Sequence, residues 1–95
     1  MKHPSDQDQP VRSANKLKLT PLYVRKVEPA KRRKLVWDTA MKGLVLRIEP
    51  SGAKSWYSHY RLNNRSRWYR VGAVNEVGLR DARKAVDTYQ VAIRS

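Results

Sequence analysis

Along this chain the apolar positions change their spacing. From residue 35 to residue 71 they recur mostly at every second place, and from residue 79 onward at every third or fourth. The first rhythm is that of half-buried strands and the second that of an amphipathic helix. Before both, Thr20-Pro21 marks a helix start, because a threonine hydroxyl caps free amides and proline fits the first turn. That helix, carrying Leu22, Tyr23, Val24 and Val27, must be short, since Pro29 forces the residue before it out of helical geometry. Leu35–Asp38 reads as a short apolar strand. Leu44–Glu49 alternates cleanly, with Leu44, Leu46 and Ile48 on one face and Val45, Arg47 and Glu49 on the other. After the turn signal Pro50-Ser51-Gly52, Lys54–Leu62 sets Trp56, Ser58, Tyr60 and Leu62 against Tyr57, His59 and Arg61. Asn63-Asn64 suits a hairpin turn, because asparagine tolerates positive φ. Arg65–Val71 returns with Tyr69 and Val71 opposite Trp68 and Arg70, and Gly72 closes it. Gly78 caps the last helix, with Asp81 in its first turn. Leu79, Ala82, Val86, Tyr89 and Ile93 form its apolar stripe, and Arg80, Lys84 and Asp87 fall away from it.

These elements predict an α+β fold: a small three- to four-stranded antiparallel sheet packed on one face by a C-terminal helix, with a short N-terminal helix. Residues 1–16 are polar, contain Pro4 and Pro10, and read as a flexible tail before a single domain over 17–95. A core of this size covers only one face of the sheet, so the other is expected to face solvent.

Charge sharpens that picture. The chain of 95 residues carries 21 Lys+Arg against 8 Asp+Glu, a formal net charge of +13. Such an excess repels itself when compact and points to an anionic partner. The sequence has no cysteine, which excludes disulfides and thiolate metal sites, and its two histidines, His3 and His59, are far apart, so no metal or cofactor is expected. No P-loop, dinucleotide fingerprint or HExxH motif is present, and no Ser-His-acid constellation is evident. The chain is read as non-catalytic. No apolar run reaches the length of a membrane span and the opening residues lack a signal-peptide core, so a soluble, cytoplasmic protein is expected.

The open face would carry Val45, Arg47, Tyr57, His59, Arg61, Trp68 and Arg70, cations interleaved with aromatics and accompanied by one acid, Glu49. Solvated antiparallel faces ordinarily show mixed charge with Ser and Thr. A small sheet fits the major groove of B-DNA, where arginine forks onto guanine O6 and N7. Arg47, Arg61 and Arg70 are therefore base-edge candidates, and Tyr57, His59 and Trp68 suit thymine methyls, sugars or phosphates. Lys31, Arg32, Arg33, Lys34, Lys42, Lys54, Arg65 and Arg67 are phosphate-contact candidates. Simpler readings stand beside these. Exposed arginines also block edge-to-edge aggregation, the Lys31–Lys34 run also reads as a solvated loop, and a one-residue bulge would send Trp68 to the core. Trp56 and Tyr60 share a face with Leu62 and are read as core.

Beyond the residues themselves, the chain from Leu19 to about Tyr89 resembles the N-terminal arm-type DNA-binding domain of phage and prophage integrases, which are tyrosine recombinases. The resemblance rests on LTPLYVRKVEP, LVWDTAMKGLVLRIEPSGAKSWYSHYRL, WYRVG and VGLRDARKAV, and above all on the run from Gly43 to Trp56 with its Pro-Ser-Gly turn and Lys-x-Trp. The Tyr60-Arg61 pair and Leu79…Ala82-Arg83 also match. The chain departs from the family at Asp38-Thr39-Ala40-Met41-Lys42, where a glycine-rich turn is usual. It departs again at His59 in place of arginine, at Val71-Gly72-Ala73-Val74-Asn75, and at Gly78 in place of a capping serine. The resemblance implies binding of double-stranded DNA at short arm sites flanking a crossover site, in support of DNA integration and excision. Partners so implied are DNA, other integrase protomers and a directionality factor, with no membrane. The family's helical core-binding module and its catalytic module, with an Arg/Lys/His/Arg set and a tyrosine nucleophile, are not represented. Two other function classes fit the basic aromatic face: an RNA-binding sheet module, and a protein-interaction or assembly domain without sequence-specific DNA binding.

Overall fold

A computed structural model describes residues 15–94. The order is β1 (Lys16–Leu17), α1 (Pro21–Lys26), β2 (Lys34–Asp38), β3 (Leu44–Ile48), β4 (Lys54–Leu62), β5 (Arg65–Ala73) and α2 (Leu79–Arg94). Most of the expected tail, residues 1–14, lies outside the described residues. Lys16, which the sequence placed in that tail, pairs with Trp37.

Local chemistry accounts for the helix ends and turns. The Tyr23 amide donates to Thr20 Oγ1 at 3.1 Å, and Pro21 follows directly. The other end of α1 is closed by a distant cation: Lys54 Nζ donates to the carbonyls of Val24 and Arg25 at 2.8 and 3.2 Å. Positive charge at a helix C-terminus satisfies carbonyls that have no partner within the helix. Asn63 and Asn64 hold φ of 54° and 64°, the left-handed pair that a two-residue hairpin turn requires.

The expectation of three to four antiparallel strands needs correction. The sheet has five strands in the order β1-β2-β3-β4-β5, and β1 runs parallel to β2. Two residues cannot display alternation, so β1 left no pattern in the sequence. It is held by backbone bonds from Trp37 N to Asn15 O and from Thr39 N to Leu17 O. Gly72 does not end the last strand either. Trp56 pairs with Gly72 and Tyr57 with Arg70, so Val71 is a bulged residue and β5 continues to Ala73. The bulge lies after Trp68, which keeps its place on the open face.

Helix α2 lies against the other face. Its Leu79, Ala82 and Val86 join Val36, Leu44, Leu46, Ile48 and Trp56 in the core, with Leu19 and Val24 from the N-terminal segment. The Trp56 indole N–H donates to Val77 O at 2.6 Å, so the largest core side chain leaves no polar atom unsatisfied. Leu62, expected on this core face, is 41% exposed. The β4–β5 hairpin runs past the start of β3, and residues 61–70 are exposed throughout.

One polar knot ties the layers together. Buried Asp38 accepts from the amides of Leu19, Ala40 and Met41 and from Arg83 Nε at 2.8 Å, while Arg83 Nη2 also donates to Leu19 O at 2.7 Å. Burial pushes the Asp38 carboxyl up, but the Arg83 hydrogen bond, the Leu19 and Ala40 amides and the Arg83 charge outweigh it. The net pKa lies below the ordinary carboxylate value.

Candidate nucleic-acid interface

Strand register decides which side chains share the uncovered face. Trp37 pairs with Val45, Val45 with Tyr57, Tyr57 with Arg70, Leu35 with Arg47, and His59 with Trp68. Directly opposed residues of antiparallel strands point to one side. Arg47, Tyr57, His59, Trp68 and Arg70 therefore stand together, and Arg61 extends the row toward the hairpin tip.

The centre of the face is aromatic. The His59 ring lies 4.6 Å from Trp68 and 5.2 Å from Trp37, Trp37 and Trp68 approach to 5.7 Å, and Tyr57 meets Trp68 at 6.5 Å. Trp37 comes from β2 and Trp68 from β5, so their rings reach toward each other across the strands between them. Val45, expected to be accessible on this face, is instead fully buried, although it stands apart from the helix-side core. The rings around it seal it. Trp68 remains 47% exposed and is the prominent apolar surface of the patch. Burial, and then the charge of Arg61, push the His59 pKa below its ordinary value, which favours the neutral imidazole.

The arginines differ in how far they are committed. Arg47 Nε bonds Glu49, Arg47 Nη1 donates to Tyr57 Oη at 3.0 Å, and its guanidinium carbon lies 4.9 Å from the Tyr57 ring centroid. Arg33 also reaches Glu49, at 3.4 Å. Glu49 is thereby occupied by two cations, which with its hydrogen bonds hold its carboxyl below the ordinary value. Arg61 is steered by Asn64 O at 3.1 Å and by Ser66 Oγ at 3.5 Å, neither of them charged. The Arg70 side chain is exposed, with no hydrogen bond or ion pair among the described residues. Arg61 and Arg70 thus present unneutralised guanidinium groups.

The phosphate-contact candidates are dispersed. Lys31, Arg32 and Arg33 are exposed in the segment before β2, and Lys34 is half-buried at its start. Arg65 and Arg67 are exposed on β5 and pair with Leu62 and Tyr60, so they lie on the helix side of the hairpin. Lys42 is exposed in the β2–β3 loop. Lys54 is engaged at the end of α1 and does not join the others. Sequence reasoning missed Trp37. Its signal was alternation within Leu35–Asp38, which sends Leu35 and Trp37 to one side and Val36 and Asp38 to the other. It also missed the Asp38–Arg83 pair, 45 residues apart, for which no local pattern exists.

Fold and face together define a small basic module built on a sheet whose uncovered side offers arginines around an aromatic centre. The model of the arm DNA-binding domain family matches residues 12–95. The chain belongs to that family, the arm-type DNA-binding domain of phage integrases, a non-catalytic module whose implied partner is DNA. Comparison with curated proteins returns no match. No helix among the described residues is long and apolar enough to cross a membrane.

Proposed function

We propose that the open face enters the major groove of duplex DNA at an integrase arm site, and that the domain thereby helps position a tyrosine recombinase for integration or excision. One observation carries this reading. Among the described residues the one acid at the face, Glu49, is consumed by Arg33 and Arg47, while Arg61 and Arg70 flank the aromatic centre with no acidic partner among those residues. A cationic rim suits base edges and phosphates, and an apolar centre suits thymine methyls. Arg70 and Arg61 are the base-reading residues. Arg47, braced by Tyr57, positions the face and makes the weaker contact. Lys31 and Arg32, with Arg65 and Arg67 toward the hairpin tip, supply phosphate contacts.

The ring geometry favours duplex over single-stranded RNA. A stacking platform offers flat ring faces to successive bases. Here Trp37 and His59 meet at an interplanar angle of 83°, and Tyr57 and Trp68 at 71°, so the rings spend their faces on one another.

An amide-shift titration with a mixed-sequence duplex tests the proposal. Shifts clustered on Arg47, Tyr57–Arg61 and Trp68–Arg70, weakening steeply with salt, are expected. Shifts confined to the Lys31–Lys34 segment would overturn it in favour of generic charge. Arg70→Ala is expected to cost about 1–3 kcal/mol on the cognate site and less on scrambled duplexes. An equal loss on both would assign Arg70 to phosphate.

A further inference from the structure

β3 begins at Leu44, whereas its neighbour β4 runs on to Leu62. Beyond Gly43 the sheet therefore has a notch, bounded by the β2–β3 loop on one side and the outstretched hairpin on the other. It is a cavity of about 750 Å³ whose lining includes Lys16, Lys42 and Arg61 among the side chains of Trp37, His59 and Tyr60. The three cations come from β1, the β2–β3 loop and β4, so their convergence is a product of the fold and not of a charged run. Among the described residues one acid borders the space, Asp38, and its oxygens are already taken by Arg83 and by the amides of Leu19, Ala40 and Met41. The free charge of the notch is positive.

The wall that carries Lys42 is held in place from both sides. Asp38 accepts the Ala40 and Met41 amides, and Gln90 Nε2 donates to Lys42 O at 2.6 Å. Gly43 has φ of +98°, and a Cβ there would press into Gln90 Nε2, so helix α2 packs directly against the loop backbone. Opposite, Arg61 is anchored to Asn64 O at 3.1 Å. A held backbone beneath Lys42 and an anchored Arg61 lower the ordering cost of binding an anion. Trp37 and His59 belong both to the notch and to the open face, which makes the two surfaces continuous.

We propose that this notch is a second contact, gripping the sugar-phosphate backbone of one strand of the duplex whose groove receives the open face, with Lys16 and Lys42 on phosphates and Arg61 at the border where the notch meets the base-reading face. The proposal rests on the groove-docking reading and extends it to a place the sheet itself does not reach. Tyr60 and Ile93, also in the lining, give deoxyribose an apolar wall. Lys16 acquires a role for which its sequence neighbourhood gives no signal.

The test uses the whole chain and the double variant Lys16→Ala/Lys42→Ala, with Lys84→Ala on the exposed side of α2 as the control for lost charge. Lys16, Lys42 and Lys84 are all exposed, so truncating them removes nothing from the core. Binding to several mixed-sequence duplexes is measured between about 50 and 200 mM salt, where each phosphate contact contributes about 0.9 to the log-log slope. The double variant is expected to lose about 1.8 from the slope and to weaken equally on every duplex, with the shifts at Tyr57, Trp68 and Arg70 retained. Lys84→Ala is expected to leave the slope unchanged. An unaltered slope in the double variant, or an equal per-residue loss in Lys84→Ala, would overturn the notch contact. So would inorganic phosphate moving the Lys42 and Gly43 amides where the duplex does not, the mark of a small-anion site. Absence of open-face shifts in the unmodified chain would instead count against groove docking, with the notch judged separately by its slope.

Discussion

Asp38 shows how much one side chain can hold. It joins the segment between β1 and α1, the β2–β3 loop and helix α2 through four hydrogen-bonding neighbours, and its side chain is fully buried beside a partly exposed Arg83. Removing the cation leaves a buried carboxylate uncompensated, so Arg83→Met is expected to destabilise the domain by about 3 kcal/mol in urea titration. The pH dependence follows from the direction of the Asp38 shift. The unfolded carboxyl titrates near about 3.9 and the folded one below it. The stabilisation is therefore fully present above the unfolded value and lost as pH falls through the folded value. Acid unfolding of the unmodified chain should reflect this loss, and Arg83→Met should lack it. Ser58 presents the opposite case. Its hydroxyl is buried with no hydrogen-bond partner. Ser58→Ala removes that desolvation cost and is expected to leave the melting temperature unchanged or raise it, by up to about 1 kcal/mol of stability.

Among the elements, α1 depends on a residue 29 positions away from its last turn. Lys54→Met is expected to lower stability by about 1 kcal/mol through the lost carbonyl partner, while leaving the salt slope of DNA binding unchanged. A reduced slope would return Lys54 to the phosphate contacts. Lys54 also marks where sequence reasoning runs out. Alternation in β3 and β4, the Asn-Asn turn, the Thr20 cap and the stripe of α2 were all legible, because each is written in the spacing of neighbouring residues. The strand β1 is too short to carry a period. The bulge at Val71 depends on how β5 meets β4, and the function of Lys54 depends on where α1 folds back. On the site, alternation placed Arg47, Tyr57, His59, Arg61, Trp68 and Arg70 on one face, but it could not show that Glu49 engages Arg47 or that the aromatics close over Val45. Those outcomes depend on side chains meeting across strands.

For the whole molecule, a formal net charge of +13 has two consequences of opposite sign. Added salt screens self-repulsion in the free domain and screens attraction to DNA in the complex. The free protein's melting temperature is expected to rise between low and moderate salt while its affinity for duplex falls. A parallel fall in both would mean that ion pairs such as Arg83–Asp38 outweigh the repulsion. The edge strand β5 is exposed near its tip and carries Arg65, Arg67 and Arg70, charges that disfavour pairing of two such edges.

The three tryptophans divide the molecule into separately readable parts. Trp56 is sealed in the helix-side core with its indole bound to a backbone carbonyl, Trp37 roofs the opposite face, and Trp68 stands half in solvent on that same face. Indole emission depends on the polarity around the ring, so a chain keeping only Trp56 would report unfolding and stay dark to ligand. A chain keeping only Trp68 would report docking before anything melts. Light from this one residue type can therefore follow stability and recognition in the same cuvette, without a label.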